Sequence, residues 1–186
     1  VDKLGSITVA TATAGSTTFP TASVDTNVPF TTVGTVNTLV AKVFSVDVAA
    51  GGNGGTNYAA ADEITVAAGF GTGTAAVFTV ASVTGGVITG LTVKAAAPGV
   101  YSAIAGGVTG IAQASTTGSG SGATFDLTLA VATLAVNATG VGYEAAPDIL
   151  LAGTGLAQQA TATLVGSAAT LATTGVTKIT KTVTAS

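Results

Sequence analysis

The clearest pattern along the chain is a two-residue alternation of apolar and polar positions, interrupted by glycines. In TFDLTLAV (124–131) the residues Phe125, Leu127, Leu129 and Val131 share one face, while Asp126, Thr128 and Ala130 point away. In AVFTVASV (76–83) Val77, Thr79, Ala81 and Val83 oppose Phe78, Val80 and Ser82. The dipeptide Gly85-Gly86 separates this run from VITGLTV (87–93), which predicts a tight hairpin. ATATLVG (160–166) and TLVAKVFSVDV (38–48) read as further strands, and VTKITKTVT (176–184) reads as a lysine-guarded edge strand. No window carries apolar positions at helical spacing between caps, and the abundant Thr and Val are stiff at χ1 and favour strands. The pattern predicts an all-β fold.

The glycines fall into a repeat that the tyrosines mark. Tyr58, Tyr101 and Tyr143 are the only tyrosines, and they lie 43 and 42 residues apart. Each follows a glycine-bearing turn: GGTNY (54–58), PGVY (98–101) and GVGY (140–143). Each precedes a Gly-x-Gly segment, carried by Gly71 and Gly73, by Gly120 and Gly122, and by Gly153 and Gly155. A strand-like run follows each time. Such a period is the mark of a repeated supersecondary unit, here a divergent one near 51–98, 99–140 and 141–186. The architecture is then a sandwich, a prism or a solenoid-like stack. At each corner Gly140, Gly142 and their counterparts permit positive φ or close backbone approach. The tyrosine is expected to pack its ring beside the next strand with its hydroxyl near water, and Pro147 to fix an edge or turn after Tyr143. The Gly-x-Gly segments are expected to be turns.

Residues 1–50 lack a tyrosine but hold Phe19, Phe30 and Phe44, with Pro20 and Pro29 breaking FPTASVDTNVPF into an extended stretch. The sequence therefore divides into an extended or β N-terminal assembly segment (1–50) and a glycine-rich repeat domain (51–186).

Composition narrows the function by exclusion. The chain has no Cys, His, Met, Trp or Arg, and only 7% of its residues are charged, against about 25% in ordinary soluble proteins. There is no imidazole base, no thiolate and no soft-metal ligand. Five lysines and a net charge of −3 do not suit a polyanion, so nucleic acid is not an expected partner. The mean hydropathy of +0.68 comes from Ala and Val. Thr, Gly or Ser interrupts every apolar run short of a spanning helix, and an aromatic content of 5% is too low for the girdles of an outer-membrane barrel. A membrane partner is therefore not expected. The opening Val1-Asp2-Lys3 does not read as a secretory signal and suggests a removed initiator Met or a trimmed precursor.

The remaining candidates for chemistry are few. Asp62 and Glu63 are adjacent and would point to opposite faces of a strand, which suits solvated acids better than a carboxylate pair. Glu144 and Asp148 flank Pro147 and could offer oxygens to Ca²⁺, or with Tyr143 form a sugar-binding cluster; the plain reading is loop acids in solvent. No Gly-Lys-Ser/Thr follows any Gly-x-Gly, so these are not phosphate loops. Asn137-Ala138-Thr139 matches a glycosylation sequon of the kind that arises by accident in a Thr-rich chain. Catalytic residues, cofactors and metals are not expected.

The succession NYAAADEITVAAGFGTGTAAVFTVASVTGGVITGLTV, PGVYSA, TTGSGSGATFDLTLAV and GVGYEAAPDILLAGTG resembles a module of virion structural proteins in tailed bacteriophages, over about residues 51–165. In that module Gly-x-Gly-Tyr-x-x-x-Pro-x-(Val/Ile) precedes Gly-x-Gly-Ala-x-Ala; Tyr58 and Tyr101 lack the downstream proline, and Tyr101 lacks the second glycine. The resemblance implies a non-enzymatic part on the virion exterior, above all a capsid decoration or cement protein contacting the major capsid protein or other virion proteins, as a homo-oligomer and by custom a trimer. A tail, baseplate or fibre component is the alternative within that class. A bacterial surface or filament subunit donating residues 1–50 to its neighbour, or a glycan-binding module, lies outside it.

Overall fold

The computed structural model describes residues 2–51 and 53–166. The strand expected over 176–184 lies outside the described residues. Within them the chain is all-β, with one short turn of 3₁₀ helix at Ala68–Phe70. The strands are β1 (Asp2–Val9), β2 (Thr21–Val24), β3 (Thr35–Val48), β4 (Gly54–Thr56), β5 (Glu63–Val66), β6 (Gly71–Thr74), β7 (Val77–Thr84), β8 (Val87–Val93), β9 (Val100–Ile104), β10 (Ile111–Thr116), β11 (Ser121–Ala138), β12 (Asp148–Ala152) and β13 (Ala160–Gly166). They form a four-stranded sheet, ordered β1-β13-β12-β2, and a nine-stranded sheet, ordered β6-β9-β3-β11-β10-β5-β7-β8 with β4 also paired to β11.

The spine is the antiparallel ribbon of β3 and β11, paired from Val48 opposite Phe125 to Thr35 opposite Ala138 with four register shifts on the way. The inward face read from the sequence holds here, since Phe125, Leu127, Leu129 and Val131 are all buried, but Ala130, read as pointing away, is buried as well. One end of the ribbon belongs to a core built from Val43, Val46, Ile64, Phe78, Phe125 and Leu127, in which Phe78 and Phe125 meet edge to face at 5.4 Å. The other end lends Val36, Leu134 and Val136 to a second core around Leu4, Tyr143 and Ile149. Each core is wrapped by strands that curl from the ribbon. Around the first, β4 returns so close to β8 that Gly54 lies on the Ile88 backbone, and the Tyr58 amide donates to the Gly86 carbonyl at 2.9 Å. The hairpin at Gly85-Gly86 forms as predicted, with both glycines at positive φ (59° and 80°) and Thr84 opposite Val87.

The boundary expected near residue 50 does not separate two packed bodies. β1, β2 and β3 each pair with a strand from beyond it: β13, β12 and β11. Residues 1–50 are a constituent of both cores, because the apolar faces of β1, β2 and β3 have nowhere else to be buried.

Candidate functional site

The three tyrosine corners are built alike. In each, a glycine at positive φ stands two or three residues before the tyrosine: Gly55 (64°), Gly99 (71°) and Gly140 (59°). Each of these glycines abuts one backbone amide of a facing strand. A Cβ would lie 2.8 Å from the Ala123 nitrogen at Gly55, 2.9 Å from that of Ala76 at Gly99, and 2.5 Å from that of Gly34 at Gly140. The tyrosine hydroxyl is directed to the same amide. Ala76 N–H donates to the Tyr101 Oη at 2.8 Å, and Gly34 N–H donates to the Tyr143 Oη at 2.5 Å. The Tyr58 Oη is buried beside the Ala123 amide but closes no hydrogen bond with normal geometry. The rings are buried, with Phe70 edge-on to Tyr101 at 4.9 Å and Phe30 tilted against Tyr143 at 6.0 Å. The hydroxyls thus turn inward to backbone donors, where the sequence reading placed them near water. Burial holds the Tyr58 and Tyr101 phenols above their usual range. The neighbouring amide acts the other way at each, and Asp62 adds a smaller upward push at Tyr58.

The corners are crossed between units. Gly120 lies flat on the ring of Tyr58, and Gly71 lies on the ring of Tyr101. Each tyrosine therefore uses the Gly-x-Gly segment of the other unit, and β5 and β10, which follow the two tyrosines, pair antiparallel. Tyr143 finds its partner in the N-terminal segment, at Gly34. β12, which follows Tyr143, pairs antiparallel with β2 from that same segment. The Gly153–Gly155 segment completes the exchange by folding on residues 14–18, where the Thr154 amide donates to the Thr18 hydroxyl at 3.1 Å. Residues 1–50 thus take the place of a fourth unit: without a tyrosine of their own, they give the third an amide for its hydroxyl at Gly34 and a paired strand in β2. Two of the Gly-x-Gly segments are correspondingly not turns: Gly71 and Gly73 run in β6, and Gly122 lies in β11. At Gly71 the Tyr101 ring and the Ala103 carbonyl occupy the space a side chain would need, at Gly73 the Val100 backbone does, and Gly122 faces open space. Only Gly153–Gly155 is a turn between strands. Pro147 is fully buried at the entry to β12.

The candidate acids are not brought together. The Asp62 carboxylate accepts from the Ala59 amide at 2.9 Å, while Glu63 pairs with Lys94 at 2.6 Å on the partly exposed rim. Glu144 and Asp148 are both exposed, and the Glu144 amide donates to the Pro29 carbonyl. No group of three or more potential metal-ligating side chains occurs among the described residues. What the fold presents instead is surface. On the outer side of the four-stranded sheet Thr8 faces Thr161, the Ser6 and Thr163 hydroxyls share a hydrogen bond at 2.9 Å, and Leu150 and Val165 stand half-exposed. Two charged residues share this face: Asp148 opposite Thr161 and Lys3 opposite Val165. The Ala/Thr alternation of β13, which sets Thr161 and Thr163 on one side, was the signal for it, but the sequence alone did not say which strands would lie beside it.

One comparison adds to this. The chain is 36% identical, over 159 residues and 76% of its length, to part of a protein called uncharacterized protein VP1 of Micromonas pusilla reovirus (isolate Netherlands/2005). The likeness is to a viral protein. The chain spans about 8% of that relative's length. No family model and no solved structure matches the chain.

Proposed function

We propose that this chain is a non-enzymatic structural block of a virus particle, acting on the virion exterior as a capsid decoration (cement) protein. It self-associates, as a trimer, and adheres to the major capsid protein or another virion protein by surface contact. The observation that carries this reading is the outer face of the four-stranded sheet. Hydroxyls and aliphatic side chains make up most of it, with Lys3 opposite Val165 and Asp148 opposite Thr161 as its charged groups, so a partner can exclude water over most of the face without stranding charges. The likeness to a viral protein supports the setting, and so does the resemblance of the Gly-x-Gly-Tyr repeats to virion modules.

The test is fractionation. Particles purified by density gradient would be probed by immunogold labelling and quantitative mass spectrometry with this chain as the target. Labelling of intact particles, at a fixed ratio to the shell protein, is the expected result. Recovery only in the soluble fraction would overturn the proposal.

A further inference from the structure

We propose that β1 is exchanged between copies of this chain, so that the strand seated on β13 in the assembled oligomer belongs to a neighbouring copy. The inference rests on the reading of the chain as a self-associating block and names the element that joins the copies.

The paired halves supply the argument. In the larger sheet β7 is covered on one edge by β8, delivered through the two-residue turn at Gly85-Gly86. In the smaller sheet the corresponding strand, β13, is covered by β1, with Asp2 opposite Gly166 where the hairpin has Thr84 opposite Val87. A seat reached through a two-residue turn can be filled only by the same chain. A seat reached from the far end of the sequence can be filled by any copy, with the same backbone pairing and the same side-chain burial.

β1 has an anchor suited to this: Leu4 is wholly buried in the second core, and Ile7 and Val9 pack against it. Its tether is short and weakly held. Ala10 is fixed through the Gln159 carbonyl and the Gln158 side chain, and Thr13 through the Ala157 carbonyl. Between them no hydrogen bond among the described residues holds Thr11 or Ala12. Hollows of about 450 and 200 Å³ lie beside this stretch, so it can straighten without displacing packed side chains. Exchange then costs only the association entropy, which the high local concentration of a particle surface offsets.

The chain has no cysteine, which makes the test direct. Lys3 and Val165 are directly opposed in the antiparallel pair, a separation a disulfide can bridge. The double variant Lys3→Cys, Val165→Cys of the 186-residue chain would be oxidised and compared by non-reducing electrophoresis and light scattering. Covalent multimers matching the native mass are the expected result; a single-chain species with the bond closed internally overturns the proposal. A second variant lacking Thr11 and Ala12 cannot return β1 to its own sheet. It should shift wholly to the oligomer, and a folded monomer or loss of the fold would each count against exchange. Failure here leaves particle association, measured separately, untouched.

Discussion

At the scale of single residues, the three corners share a design but differ in one atom, and that difference is measurable. Tyr101 and Tyr143 each satisfy a buried backbone donor, whereas the Tyr58 hydroxyl is buried without a partner. Removing the hydroxyl from Tyr101 or Tyr143 orphans the Ala76 or Gly34 amide, and an unsatisfied buried group costs about 1–3 kcal/mol. Tyr101→Phe and Tyr143→Phe should each lower the urea midpoint by the equivalent of about 1–2 kcal/mol. Tyr58→Phe should leave it unchanged or raise it. Equal losses at all three positions would show that the Ala123 amide is a true partner. The same burial gives the protein an alkaline limit. The Tyr58 and Tyr101 phenols titrate above their unfolded value of 10.0. Below that pH both states keep the proton and stability does not depend on it. Above it the unfolded chain ionises first, binds fewer protons than the native state, and stability falls as pH rises toward the folded values. Urea midpoints from pH 7 to 11.5 should be flat to about pH 10 and then decline, less steeply in the Tyr58→Phe, Tyr101→Phe double variant.

At the scale of elements, local patterns were legible in the sequence and partnerships were not. The alternation of β11, the Gly85-Gly86 hairpin and the tyrosine period are set by neighbouring residues, and all three can be read from them. The crossing of the corners depends on which glycine meets which ring, and even spacing carries no information on that. The fourth unit escaped for a physical reason: it has no tyrosine to mark it. Its signature is reduced to Gly34 ahead of β3, as Gly120 stands ahead of β11. Composition shows that the chain has no His or Cys; the hydroxyl-and-aliphatic face was not legible, because it forms only when β1, β13 and β12 are set side by side. The crossing makes its own prediction. A Cβ at Gly120 runs into the ring of Tyr58, so Gly120→Ala should cost about 1–3 kcal/mol by overpacking. Gly106, with open space around it, should tolerate Ala. A double-mutant cycle should couple Gly120→Ala to Tyr58→Ala by at least about 1 kcal/mol and to Tyr101→Ala by almost nothing. Coupling to Tyr101 instead would mean that the units close on themselves.

At the scale of the whole molecule, the ribbon decides how the two cores share their stability. β3 and β11 stay paired, through four register shifts, from one core to the other, so neither core can lose its ribbon strands without exposing the other's. In the particle role proposed above, failure of one half under load would require failure of both. The consequence is a single cooperative unfolding transition, despite two cores and an apparent sequence boundary near residue 50. Leu127→Ala in the first core and Leu4→Ala in the second should each cost about 2–5 kcal/mol. Because the transition is shared, each should shift the whole calorimetric peak downward, keeping the calorimetric and van't Hoff enthalpies equal. If Leu4→Ala instead splits the peak, leaving one component at the parental temperature, the cores are independent. The ribbon would then be a linker between two bodies, and a load on one would not be carried by the other.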